Sequence, residues 1–170
     1  MKMNKLFTET GFKWLWITAL FLIIDQITKH LVVNSFDLGE SLNILPFFDL
    51  RYVQNPGAAF SFLADQDGWQ RWFFTIIAAV ASVVFFVWLA KTPKTHVLLS
   101  IALAFMLSGA MGNLIDRALF GYVIDMLDFH IAGKHWPVFN IADSAIFIGA
   151  ALMILDSFKN GDSEKKSEIK

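Results

Sequence analysis

Residues 108–143, SGAMGNLIDRALFGYVIDMLDFHIAGKHWPVFNIAD, decide how the rest of the chain is read. Within them Asn113, Asp116, Arg117, Asp125, Asp128, Asn140 and Asp143 interrupt or border sequence that is otherwise apolar enough to lie in a bilayer. An ionisable group at membrane depth costs roughly 2.5–3.5 kcal/mol on insertion scales, so a chain that keeps several together is expected to use them. The function is therefore sought here.

The composition around this stretch agrees with a membrane setting. Of 170 residues, 56% are hydrophobic, 15% aromatic and only 17% charged, a balance that excludes an ordinary soluble domain of this size. The net charge of -1 and the singly scattered basic residues exclude a nucleic-acid surface. The chain has no cysteine, which removes a thiol nucleophile, a thiolate metal site and a disulfide framework. His30, His96, His130 and His135 show no HExxH or similar spacing, so no metal or cofactor is expected.

Outward from that stretch, hydropathy predicts four spans, at about residues 14–33, 72–90, 97–115 and 138–155. The second and third are each 19 residues without a charge, close to the roughly 30 Å of a hydrocarbon core at about 1.5 Å per residue. Gly109 and Gly112 in the third permit close helix packing. The first is too long for the apolar region of a secretory signal and is interrupted by Asp25 and Lys29, so it is expected to be retained. Those two side chains stand at i,i+4, acid first, where they can neutralise each other near the outer end of the helix.

Residues 34–68 are of mixed polarity and form an extramembrane segment, whose middle, LNILPFFDLRYVQN, suggests one or two short strands. The strand-like residues 43–53 would make a platform over the site, able to hold an extended substrate by backbone pairing at Leu50 and Tyr52. NPGAAF follows, with Pro56 and Gly57 suited to the centre of a type II turn and Asn55 just before it, and the stretch suggests a lid between residues 55 and 68. The apolar residues of YVIDMLDFH suggest re-entry to the membrane edge. Residues 1–158 are expected to form a single membrane-embedded domain, and the polar stretch 159–170 a cytoplasmic tail without structure.

Four spans put both termini on one side. Lys2, Lys5, Lys13, Lys91, Lys94, Lys159, Lys165, Lys166 and Lys170 are nine of the 14 basic residues, and all fall on that side. Lys29, Arg51, Arg71, Arg117 and Lys134 fall on the other. The positive-inside rule makes the termini cytoplasmic and places both polar passages at the outer face. The expected fold is mainly α, an integral membrane protein of four transmembrane helices with a small extramembrane β platform outside.

Two carboxylates brought together in a low-dielectric site cannot both ionise easily, so one holds a proton and the other stays charged. The charged member can take a proton from a water attacking a peptide carbonyl, while the protonated member polarises that carbonyl and helps the amine leave. Spacing does not decide which of Asp116, Asp125, Asp128 and Asp143 form such a pair. Asp116 and Arg117, being adjacent, need separate partners, and an ion pair is expected for Arg117. A proton-coupled transporter subunit and a non-enzymatic assembly protein would also carry intramembrane carboxylates. The lack of an obvious inverted repeat and the confinement of polar groups to one face weigh against a transport path.

Five motifs in order, DQITK (25–29), NPGAAF (55–60), GNLIDR (112–117), VIDMLDF (123–129) and FNIADSA (139–145), resemble those of the bacterial lipoprotein signal peptidases, or signal peptidase II. The resemblance covers the chain from Asp25 to Ala145. It implies an inner-membrane aspartyl endopeptidase that removes signal peptides from diacylglyceryl-modified prolipoproteins, cutting just before the lipidated cysteine, with no cofactor. It also implies Asp125 and Asp143 as the catalytic pair. Asn55, Gly57, Asn113, Arg117 and Asn140 are then implied as substrate contacts or orienters of the pair, and Asp25 and Lys29 as structural or substrate-adjacent. Prolipoproteins and membrane lipid are the expected partners, with a monomer favoured. Ser108 and Met126 depart from residues common in the family, which touches packing and not the carboxylates. Burial should push the upper step of the pair above the roughly 4.7 of a soluble dyad.

Overall fold

A computed structural model describes residues 7–57 and 69–168. Among these, α1 (Leu15–Ser35), α2 (Trp69–Lys91), α3 (Val97–Leu119) and α4 (Ile141–Glu168) are long and apolar enough to cross a membrane. Hydrocarbon offers no hydrogen bonds, so an apolar run must satisfy its backbone within itself and becomes helical. A 3-10 turn, Gly11–Trp14, leads into α1. Before that turn, Lys94 donates to the Glu9 carbonyl and pairs with its carboxylate, and Gly11 N–H donates to Thr92 O. Residues 9–11 and the α2–α3 loop are thereby tied together at one end.

The third helix is the central post. More than half of its span is buried, against 28% or less for the others, and it packs on α1, α2 and α4. Its approach to α4 and α1 depends on small residues: a Cβ on Gly109 would collide with the Ala142 carbonyl of α4 and lie 2.6 Å from Ile146, and one on Gly112 would lie 2.6 Å from Asp25 Oδ2 of α1. Gly109→Ala is accordingly expected to destabilise the protein by about 1–3 kcal/mol through overpacking. A melt in detergent checks this, and an unchanged Tm would count against the close helix contact.

At the other end of the bundle lies a sheet of order β1-β2-β3-β4, antiparallel throughout: β1 (Ser41–Leu45), β2 (Phe48–Asn55), β3 (Val123–Ile131) and β4 (Lys134–His135). Val32 and Phe36 at the end of α1 pack on Tyr52, Ile124 and Met126, which fastens the sheet to the helices. Met126 is part of this small core, and the Ser108 hydroxyl turns back onto Phe105 O within α3, so both departures from the family pattern are absorbed by packing.

Several expectations change. YVIDMLDFH does not re-enter the membrane edge but forms most of β3, a strand buried along Val123–Met126 because β2 covers one side and the helix ends the other. Leu50 and Tyr52 cannot pair with a substrate: Leu50 is paired to Leu42 on one side and Leu127 on the other, and Tyr52 N–H donates to Glu40 O. The fourth helix starts at Ile141 and not at residue 138, since Phe139 is held in a bridge to Leu127. It also runs to Glu168, where no structure was expected, because Lys, Glu and Ser residues extend a helix already nucleated in the membrane. The type II turn and the lid fall partly or wholly on residues 58–68, outside the described residues.

Candidate active site

The start of α4 is shaped by the sequence FNIAD. Asn140 Oδ1 accepts from the Asp143 N–H (2.9 Å), and Asp143 Oδ2 accepts from the Asn140 N–H (3.3 Å). This reciprocal arrangement is a capping box with Asn at the N-cap and Asp three residues on. It fixes Asp143 in the first helical turn, where the helix dipole favours a negative charge. A further amide of that turn, Ala142 N–H, donates to Asp25 Oδ1 at 2.9 Å.

Asp125 comes from the sheet. The register between β2 and β3 slips between Leu50 and Val53, a bulge beside Asp125 of the kind that re-aims side chains near functional sites. Asp125 is 2% exposed, and its carboxyl accepts from Asn140 Nδ2 (2.7 Å) and Asn55 Nδ2 (3.0 Å). The Gly57 N–H occupies Asn55 Oδ1 at 3.1 Å, which turns the Asn55 amide nitrogen towards Asp125. Burial, and then the charge of Asp143, push the Asp125 carboxyl up to about 7; the hydrogen bonds from Asn55 and Asn140 and the charge of Lys29 oppose the shift.

Asn140 therefore touches both aspartates, and Asn113 Nδ2 donates to Asp143 Oδ1 at 2.8 Å. Both carboxylates open on one cavity of about 680 Å³, lined also by Asn55, Asn113 and Arg117 and extending between Trp136 and the apolar side chains of α4. That size suits a ligand of several hundred cubic ångströms. Arg117 Nη2 donates to Gly57 O at 3.1 Å and Nη1 to Asn113 O at 3.5 Å, so among the described residues its partners are backbone carbonyls and not the ion pair expected. Its guanidinium lies 5.6 Å from the Phe74 ring centroid, with Asp143 and Asp125 within electrostatic reach.

The remaining candidates are placed elsewhere. Asp116 binds Lys29 (2.8 Å) and accepts the Ile124 N–H (3.1 Å), which ties the start of β3 to α3. Asp128 faces His135 Nδ1 at 2.8 Å and Arg51 at 3.8 Å. Lys29 pairs with Asp25 (2.9 Å) as the i,i+4 spacing predicts, but it also reaches Asp116 and Asn113 Oδ1 (3.3 Å), so the pair is not self-contained. Gln26, not singled out from the sequence, donates to Asp25 and Asp116 at 3.1 Å each. Its one signal was a polar side chain in an apolar span, next to Asp25. Among the described residues no three His, Asp or Glu side chains are grouped so as to hold a metal ion.

Residues 17–159 match the family model described as signal peptidase (SPase) II. The chain is 58% identical over 166 residues to a lipoprotein signal peptidase of Alteromonas mediterranea, covering 98% of this chain and 90% of that one. To a lipoprotein signal peptidase of Shewanella amazonensis it is 50% identical over 159 residues, covering 94% and 95%. A solved bacterial membrane enzyme superposes with a TM-score of 0.79 at 31% identity, over 89% of this chain and 90% of that chain. Another gives 0.73 at 32% identity, over 84% and 90%.

Proposed function

The chain belongs to the signal peptidase II family, and from that premise we propose that it cleaves as an aspartyl endopeptidase with Asp125 and Asp143 as its reacting pair. It is a membrane protease that removes signal peptides from prolipoproteins. The observation that carries the catalytic reading is Asn140, hydrogen-bonded at once to both aspartates at the wall of one cavity.

Roles follow from environment. Asp125, the more deeply buried and pushed up to about 7, holds the proton; Asp143, partly exposed in the first turn of α4, serves as the proton acceptor. Asp143 takes a proton from a water as the water oxygen bonds to the scissile carbonyl carbon. Asp125 donates its proton towards the carbonyl oxygen. When the tetrahedral intermediate collapses, the C–N bond breaks, the amine leaves with a proton from the pair, and the carbonyl re-forms. Asn113 and Asn140 orient the carboxylates. Asn55, Gly57 and Arg117 form a connected wall able to meet the substrate backbone, and Asp25 and Lys29 hold the helix ends beneath it.

The apolar part of the cavity, with Trp136, Ile146 and Phe147, suits a diacylglyceryl group beside the scissile bond, so the substrate is read as the lipid-modified prolipoprotein cut before its modified cysteine. The site lies at the end of the bundle opposite Lys13, Lys91 and Lys94. By charge bias the termini are then cytoplasmic and the site faces outward, in a bacterial inner membrane. Residues 1–158 act as one unit, as a monomer.

The test is cleavage by the purified protein in detergent of a prolipoprotein with and without its diacylglyceryl group, with products identified by mass. The modified substrate is expected to be cut before its cysteine and the unmodified one far more slowly. Equal cleavage of both would remove the lipid from the account, and no cleavage of either would overturn the reading.

A further inference from the structure

The Lys29 ammonium is 2% exposed and has three N–H donors and no acceptor. Asp25 Oδ2 at 2.9 Å, Asp116 Oδ2 at 2.8 Å and Asn113 Oδ1 at 3.3 Å take all three. Only the oxygen of the Asn113 amide can face such a group. Its nitrogen must then face the other way, and there it meets Asp143 Oδ1 at 2.8 Å. Asn140 Nδ2 gives a weaker second lock, donating to Asn113 Oδ1 at 3.3 Å.

We propose that Lys29 is a positioning residue of the cleavage reaction: by fixing the Asn113 amide it keeps an N–H aimed at Asp143 and so holds that carboxylate as the proton acceptor. A flipped Asn113 amide would set its NH₂ against an ammonium and its oxygen against a carboxylate, two unfavourable contacts in a site of low dielectric. With Lys29 neutral, the first of these disappears, and the flip is opposed by the contact with Asp143 and by Asn140. An oxygen facing Asp143 drives a proton onto that carboxyl and removes the base. The effect falls on the chemical step, because Asn55, Gly57 and Arg117 on the substrate side are untouched.

The charge acts on Asp125 as well. The charged groups acting on that carboxyl are Asp143 from α4, Lys29 from α1 and Arg117 from α3, with the amides of Asn55 and Asn140. Lys29 opposes the upward displacement of Asp125, so its removal lets Asp125 keep its proton to higher pH. The alkaline limb therefore reports the charge of Lys29, and the fall in kcat reports the Asn113 amide that it fixes.

The inference rests on Asp125 and Asp143 being the reacting pair. The experiment measures kcat, KM and the pH–rate profile in wild type, in Lys29→Gln, and in the neutral variant Asp25→Asn/Lys29→Met/Asp116→Asn, which leaves no lone buried carboxylate and retains the acceptors for Ala142 and Ile124 N–H. Melting curves establish which variants fold. In a folded variant kcat is expected to fall by about 10²-fold, the size typical of losing one fixed donor at a reacting charge, with KM near wild type and the alkaline limb moved to higher pH. A folded variant with wild-type kcat and an unmoved limb overturns the proposal, and failure of both variants to fold assigns Lys29 to the fold and overturns it too. A wild type with a flat profile would instead sink the reading of the pair itself.

Discussion

Asparagine in place of Asp125 or Asp143 is expected to lower cleavage by at least about 10³-fold while leaving the protein folded. General acid–base groups contribute about 10²–10⁴-fold each, and here the two carboxylates act on both the attack and the collapse. Because they act as a unit, Asp125→Asn/Asp143→Asn should be hardly slower than either single variant. Stability should follow the opposite course at Asp125. Its carboxyl is pushed up to about 7 in the folded chain against an ordinary value of 3.8, so the folded state binds the proton more tightly than the unfolded one. That difference withdraws stability as pH rises from about 4 to about 7. Asparagine cannot ionise and should match or exceed the wild-type Tm above pH 7. A wild-type rate in either folded single variant would remove that residue from the chemistry.

The second large effect is on folding. Lys29→Met leaves Asp25 and Asp116 buried, each 1% exposed, without the ammonium that both contact at 2.8–2.9 Å. Removing one partner of a buried ion pair costs about 3–5 kcal/mol, since the uncompensated charge remains in place. Thermal melts in detergent should show a Tm well below wild type, restored towards it when Asp25 and Asp116 are also made Asn. A Lys29→Met protein melting with the wild type would mean that the two carboxylates find protons or partners elsewhere. The pair of melts also separates the cost of stranded charge from the loss of packing by the lysine stem.

Hydropathy made the spans legible because nothing competes with it: 72–90 and 97–115 are uncharged runs, and the helices formed are Trp69–Lys91 and Val97–Leu119. The strands of residues 41–55 showed in their β-branched and aromatic content. The strand at residues 123–131 did not, because its first part, Val123–Met126, is buried without alternation and its apolar residues look the same as membrane-edge sequence. The site was legible as motifs and not as geometry. Spacing within the sequence could not choose among Asp116, Asp125, Asp128 and Asp143, since the choice depends on which partner each meets across the fold. Asp116 is claimed by Lys29 from 87 residues earlier, and Asp128 by His135 and Arg51. Only Asp125 and Asp143 share Asn140. Arg117 drew the expectation of a carboxylate by charge complementarity, whereas its acceptors among the described residues, Gly57 O and Asn113 O, carry no signal in side-chain sequence.

The central claim is that one proton is shared between Asp125 and Asp143, and the pH dependence of a single turnover tests it most directly. Below the lower step both carboxyls are protonated and no base remains; above the upper step Asp125 has lost its proton and no acid remains. With chemistry shown to be rate-limiting, the wild-type rate is predicted to be bell-shaped, with its alkaline limb centred near 7. A rate that stays level from acid through alkaline pH under the same condition would contradict the account.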